Sequence, residues 1–577
     1  MKESNFIILL SVFVGILAGF VALTLKVSVF YLRDFIVDYI TGSSKMHFFL
    51  LLFIPSVGIG LTLLLKHFVI DDTVKHNISS ILYAISKKNS LMKQHKVFSS
   101  MLGGILTAGF GGSVGMESPI ISSGAAIGSY LGRIFHFNYK TVTLLLACGS
   151  SGAISAIFNT PIAGVVFALE VLLLDLNRFS LIPLLMASVS GTIVTTVFYP
   201  DGVLFDFEIQ DTFHVAQIHY YLIFALICGL VAHYFTHTYL LIEQKMEQIA
   251  KPLKRYLTGS ILFGLILMVF PMLWGEGFAT IKDLLNENHI AIFEFTLYPA
   301  HAENLFVVLI AFVLMIFLKV IATALTVGAG GIGGIFAPSL FTGALTGYLY
   351  ALVINSLGIG VELSLVNFTM IGMTGVLSGV LHAPLTALFL IVEITFGYEL
   401  IVPLMLTSTI SYITVKYFRD NSIITEQLAA KGQLITHHKD KAVLTMMKLK
   451  SVLETDFLPV NVNDDLSELV KTVAKSKRNL FPVLDDDGFL VGVILLDDIR
   501  EIMFHTELYH ETSIKSLMSP PPAYIRFNDN MDTVMKKFNE SKAWNLPVID
   551  KGKYMGFVSK SKMFNVYREL LVNITDD

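Results

Sequence analysis

One pattern occurs twice in this chain. Gly152-Ala-Ile-Ser155, Asn159-Thr-Pro161 and Glu170 return as Gly375-Val-Leu-Ser378, His382-Ala-Pro384 and Glu393, at a constant offset of 223 residues (375 minus 152). Upstream of each copy, Gly115, Pro119, Gly124, Ala125 and Gly128 return as Gly334, Pro338, Gly343, Ala344 and Gly347, an offset of 219 (334 minus 115). Small residues recur in membrane helices for packing reasons alone, but packing does not repeat a Pro and a Glu at fixed spacing. Duplicated halves with paired Gly- and Pro-broken apolar segments predict a transporter-like fold whose site lies between the repeats.

The surroundings of the repeat are lipid-like. Charged residues make up 15% of the chain and hydrophobic ones 54%, whereas soluble proteins carry about 25% charged. The runs Phe6 to Phe30, Phe48 to Leu65, Tyr220 to Ala232, Ser260 to Leu273 and Leu305 to Leu325 hold few charges. The longer ones approach the roughly 20 residues that a spanning helix needs. The first run lacks a convincing cleavage site and is read as a permanent element. Cys148 and Cys228 lie in apolar stretches, which excludes a disulfide framework or a metal cluster. A net charge of -4 argues against nucleic acid as a partner.

Apolar character stops near Phe418. The expected organisation is a polytopic all-α membrane domain over 1–430, a linker over 431–450, and an α/β unit built from two modules, 451–510 and 511–577. The modules are themselves a repeat. Val462-Asn-Asp-Asp-Leu466 with Leu469, Val470 and Val473 matches Phe527-Asn-Asp-Asn-Met531 with Val534, Met535 and Phe538. Each is an Asn/Asp cap followed by an i, i+3, i+4, i+7 stripe. Leu480-Phe-Pro482-Val483 through Gly492 then recurs as Asn545-Leu-Pro547-Val548 through Gly556.

What a broken helix can do in a membrane follows from solvation. A small anion enters the bilayer interior only if its lost hydration is replaced. Helix N-termini offer free N–H groups and about half a unit of positive charge each. Gly328-Ala-Gly-Gly-Ile-Gly-Gly334, followed by Ile335, Phe336, Ala337 and Pro338, fits such an N-terminus. Its glycines admit close backbone approach and its proline sits where a missing N–H costs nothing. Gly109 to Pro119 has the same grammar, with Glu117 where the other copy has Phe336. A carboxylate there acts as a gate: it mimics the anion and leaves when protonated or outcompeted. An ionisable residue in a membrane segment is functional by default. Glu170 and Glu393 read instead as repeat-related acids that tie helix ends.

With these residues in view, the chain is similar to the chloride channel (CLC) family. GGIFAP at 333–338 resembles its GxFxP segment, GMESP at 115–119 its GxEGP segment with the gating glutamate, and AIFNTPIAGVVFALE at 156–170 a further family run. The likeness covers residues 5–430, and the C-terminal pair resembles CBS domains. The resemblance implies about 18 helices in two inverted repeats, a homodimer with a pore in each subunit, chloride as the bound ligand and no required cofactor. It places the outer anion on the backbone around Gly115, Met116, Glu117 and Ser118, and the central one on the N–H groups of Ile335 and Phe336. It also implies a multi-pass protein of the cell membrane with the CBS pair cytoplasmic.

Four positions depart from the family pattern. His76 stands for the serine on the central anion, Ile424 for the inner tyrosine, and Ser118 for the glycine after the gate. Val171 stands where proton-coupled members carry an inner glutamate, and a valine relays no proton. That favours a passive channel or an uncoupled transporter. The alternative is chloride/proton antiport with Asp175, on the helical face of Val171, or His76 as the surrogate inner site. In the CBS pair the nucleotide signature is halved: Gly492, Leu495 and Asp498 in one copy, Gly556, Ser559 and Lys562 in the other. A structural or dimer-stabilising role is expected there, with adenine-nucleotide binding through Asp498 and Ser559 as the alternative. His505 and His510 have no third ligand, so no metal is expected. No HExxH, GxSxG or Walker stretch supports a membrane enzyme or an ATP-driven pump, and a divalent-cation carrier would need converging oxygens rather than N–H ends.

Overall fold

A computed structural model describes residues 3–41, 50–68, 77–172, 178–200, 205, 213–293, 304–358, 362–429, 447 and 449–575. The chain divides into two compact units, Met1–Leu434 and Ile435–Asp577. Each is built on its own core.

The first unit is helical. Among the described residues it holds seventeen α-helices, from the 39-residue Glu3–Thr41 down to the seven-residue Ile423–Ala429. Eight spans among the described residues are long and apolar enough to cross a membrane. Their burial is uneven, and the unevenness locates the site. The windows of Tyr139–Phe158 and Phe336–Ser356 are 89% and 72% buried, whereas that of Pro252–Val269 is 28% buried. The duplicated segments therefore form the inside of the unit and the unduplicated ones present their leucines and phenylalanines outward.

Small residues permit that inner packing. Helix Glu117–Ile134 lies against Tyr139–Phe158, with Gly124 against the Gly149 backbone. The repeat mate does the same: Phe336–Ser356 lies against Leu365–Leu381, with Gly343 against Gly372. A methyl group at any of these four positions would collide with a carbonyl oxygen, which is the close-approach use of glycine between membrane helices. Each inner helix then stops at a residue in the left-handed conformation, Asn159 (φ 59°) and His382 (φ 55°). Pro161 and Pro384 open the next helices, Pro161–Glu170 and Pro384–Thr395, two residues further on. Proline at N1 loses no intrahelical bond.

The second unit has two sheets. Strands β1 (Leu453–Glu454), β7 (Lys553–Ser559), β6 (Asn545–Asp550) and β5 (Ile525–Arg526) form one, in that order; β2 (Val460–Asn461), β3 (Leu480–Leu484) and β4 (Leu490–Leu495) form the other. In both, the two long strands pair antiparallel and a two-residue strand, β5 or β2, joins in parallel, while β1 adds antiparallel to β7. The repeat is visible atom by atom. Asp464 accepts the Asn461 N–H at 3.0 Å and Asp529 the Arg526 N–H at 2.9 Å. Asp465 and Asn530 cap the helices Leu466–Lys475 and Met531–Ser541. β1 stands at the start of the expected 451–510 segment yet pairs with β7 of the second module, so it is used by the other module's sheet.

Candidate functional site

The two glycine-rich turns meet. Gly115 N–H donates to the Gly334 carbonyl at 2.9 Å and Gly334 N–H returns the bond at 2.8 Å. Helices Glu117–Ile134 and Phe336–Ser356 start two residues beyond this bridge, so their N-termini point toward one place from opposite halves of the repeat. A side chain at Gly115 would strike Glu117 Oε2, and a Cβ at Gly334 would lie 3.5 Å from the same oxygen. Glycine is required at 115 because the carboxylate occupies that space.

Glu117 is fully buried. Its carboxylate faces its own N–H and that of Ala337, yet neither oxygen reaches a hydrogen-bond geometry with any described residue. A buried carboxylate held beside a helix N-terminus without a committed partner is free to exchange with another anion. Met116, which precedes it, is 1% exposed, and the buried Ser118 hydroxyl that follows is also without a partner.

Below the bridge lies a cavity of about 30 Å³ lined by Ser118, Gly333, Gly334, Ile335, Phe336, Leu381, Ile423 and Ile424, with Asn77, Ile78, Ser79, Tyr239 and Gln427. That is room for a water or one small ion. Three helix starts reach it: Phe336–Ser356, Ile78–Lys87 and Ile423–Ala429. The structure thus brings together Ser118, Ile335, Phe336 and Ile424, all named from sequence, and sets Gly115, Met116 and Glu117 at its edge. His76 and Asp175 lie outside the described residues, although His76's neighbour Asn77 lines the cavity. Val171 is buried at the end of helix Pro161–Glu170 and is not among the lining residues.

Glu170 and Glu393 tie the repeats to each other. Glu170 accepts the N–H groups of Leu385 and Thr386, at 3.2 and 2.7 Å, and the Thr386 hydroxyl at 2.7 Å. Glu393 accepts the N–H groups of Ile162 and Ala163, at 2.9 and 2.8 Å. Each carboxylate caps the helix that carries its counterpart, a role consistent with the helix-tying reading and with the dipole.

Several chemically active residues carry no motif in the sequence. Buried Lys319 donates to the Gly275 and Leu273 carbonyls, at 2.9 and 3.4 Å, and lies 4.7 Å from the Phe341 ring centroid. Lys26, 2% exposed, donates to the Ile157 carbonyl at 3.2 Å. Glu276 stands within electrostatic range of Glu117, Arg33, Lys319 and Lys26, with Oε1 buried and unpaired, in the wall of a cavity of about 390 Å³. Lone lysines inside the runs Phe6 to Phe30 and Leu305 to Leu325 were the available signal. In the wall of the small cavity, Gln427 accepts from Ser79 at 2.7 Å and from Asn77 at 3.0 Å, and donates to Glu243 at 2.8 Å. In the second unit, Ser559 Oγ accepts the Lys562 N–H at 3.1 Å and so starts the last helix, while Asp498 is exposed.

The family model described as voltage gated chloride channel matches residues 57–416, and the CBS domain model matches 449–505 and 514–569. A relative described as "Putative chloride channel protein ClcB-like", from Ralstonia nicotianae, is 28% identical over 55% of this chain and 71% of its own. The "H(+)/Cl(-) exchange transporter ClcA" of Vibrio cholerae is 27% identical over 70% of this chain and 84% of its own. Among solved structures, a slow cyanobacterial Cl-/H+ antiporter aligns with TM-score 0.64 at 20% identity, over 75% of this chain and 98% of that one. A eukaryotic CLC transporter aligns with TM-score 0.60 at 17% identity, over 96% of this chain and 97% of that one. At such identities the structural likeness is one of fold.

Proposed function

The chain belongs to the voltage-gated chloride channel family, and on that premise we propose that it exchanges chloride for protons across the membrane, with Glu117 as the group that both gates and titrates. As a member of that family it is a multi-pass chloride-transport protein and not an enzyme. The observation that carries the finer reading is the seat of the Glu117 carboxylate, buried without a committed partner beside the N-terminus of Phe336–Ser356. Chloride and the ionised carboxylate compete for the same N–H groups, and protonation removes the competitor. The expectation of a passive channel yields to exchange because relatives and structural neighbours carry exchange or antiport in their names.

One observation favours the channel reading. Val171 offers no proton site where the family pattern has an inner glutamate, and the proposed surrogates, Asp175 and His76, remain candidates by position only. A joint flux measurement on proteoliposomes separates the two. Under exchange, a chloride gradient drives protons uphill at a fixed ratio; chloride flux with no accompanying proton movement overturns exchange and leaves the channel. Flux should follow chloride, bromide and nitrate and ignore magnesium and potassium. The reading also takes the protein as a homodimer with one pathway per subunit and the CBS pair on the cytoplasmic side. Adenine nucleotide at Asp498 and Ser559 is the weaker part of it, since Ser559 already caps a helix; calorimetry with ATP, ADP and AMP on the full chain tests it, and no heat at millimolar nucleotide dismisses it.

A further inference from the structure

We propose that Tyr239 donates its hydroxyl to the anion held in the cavity below the Gly115–Gly334 bridge, a contact that rests on the chloride-transport reading above. Tyr239 lies on helix Ile218–Glu247, far in sequence from every segment that the motifs single out. It is 3% exposed and lines the cavity together with Ser118, Ile335, Phe336 and Ile424. Its phenol makes no hydrogen bond among the described residues.

Other buried or half-buried tyrosines in this unit behave differently. Tyr221 donates to Gln217 Oε1 at 3.2 Å, Tyr348 pairs with His289 Nδ1 at 3.0 Å, and Tyr350 donates to the Tyr220 carbonyl at 3.2 Å. A buried phenol left unsatisfied costs about 1–3 kcal/mol, so Tyr239 is matched to a partner that occupies the cavity. Of the neighbouring acceptors, Glu243 and Gln427 already hold other partners. Glu243, one turn on, accepts from Gln427 Nε2, and Gln427 Oε1 accepts from Ser79 and Asn77. The other cavity donors are backbone N–H groups at Ile335 and Phe336 and the Ser118 hydroxyl, which is also unpaired. The acceptors in the lining, Gln427 Oε1 and Asn77 Oδ1, are already engaged by Ser79, Asn77 and the Ser80 N–H, so the groups left over suit an acceptor-only guest. A phenol near neutral pH carries its proton and gives one directed bond. Ile424, at the position where the family pattern has a tyrosine, contributes no such group.

Purified full-length protein in detergent, titrated with chloride by calorimetry, tests this. Tyr239→Phe removes one oxygen and is expected to weaken chloride binding about tenfold or more, as for a lost bond to a charged group. Tyr221→Phe, whose hydroxyl is engaged away from the cavity, is expected to leave it unchanged. An unaltered affinity in Tyr239→Phe, with the wild type binding normally, overturns the contact and leaves chloride transport standing. A wild type that binds no halide overturns both. Bromide-soaked crystals of the wild type give an answer independent of any variant: anomalous density within hydrogen-bond reach of the Tyr239 oxygen supports the contact, and density in the cavity beyond that reach overturns it.

Discussion

Glu117 illustrates how little a side chain needs in order to act when the backbone around it is prepared. Its two oxygens have no committed partner, so what holds them is the field of a helix end and the space left by Gly115. Glu117→Gln keeps the shape and removes the charge. Wild-type chloride flux is expected to rise on acidification, as protonation empties the seat, and the variant's flux to be flat across the same range; a variant that still responds to pH would remove Glu117 from the gate. Lys319 is the opposite case, a charge committed to structure. Lys319→Met would strand the Gly275 and Leu273 carbonyls and deprive Glu276 of a cation. The expected loss is about 3 kcal/mol, read as a lower unfolding temperature in detergent. Glu117 was legible in the sequence because a carboxylate set among glycines in a membrane segment is costly to keep unless it serves a site. Tyr239 was not, because one tyrosine in a long apolar helix has no local sign of which way it faces.

At the scale of elements, the repeats hold each other by exchange of carboxylates. Glu170 caps Pro384–Thr395 and Glu393 caps Pro161–Glu170, and the proline at N1 of each helix leaves the next two N–H groups for the partner's acid. Glu170 accepts one bond more than Glu393, from the Thr386 hydroxyl, so Glu393→Ala is expected to destabilise by about 2 kcal/mol and Glu170→Ala by about 3 kcal/mol. Thermal unfolding of the two variants checks this, and a loss at one site only would show that the two carboxylates do not both tie the repeats. In the second unit, Asn530 caps Met531–Ser541 by accepting the Thr533 N–H at 2.8 Å. Asn530→Ala is expected to cost about 1 kcal/mol.

At the scale of the molecule, the two units answer to different conditions. Burial alone would raise the Asp529 carboxyl, but the Lys537 ammonium at 2.6 Å and the Arg526 N–H hold it below its ordinary value. A depressed carboxylate contributes stability that is present above its unfolded pKa of about 3.9 and is lost as pH falls toward the folded value. The second unit is therefore expected to weaken below about pH 4, with Asp529→Asn blunting that dependence in acid unfolding followed by circular dichroism. The pairing of β1 with β7 makes a second expectation: residues 449–577 fold as one piece, whereas 511–577 alone, lacking the edge partner of β7, aggregates or remains unfolded.

By itself the sequence determined the membrane class, the duplication, the glycine-rich helix starts and the buried acid between them, since each is written in local composition or in spacing along the chain. Only the tertiary structure decided which residues share the cavity beside the Gly115–Gly334 bridge. Tyr239, Gln427 and Ser79 come to it from three helices distant in sequence, and Glu170 meets Thr386 across 216 residues. Contacts of that kind depend on how helices rotate about their axes when glycine surfaces close together, and no periodicity within a single helix records that rotation.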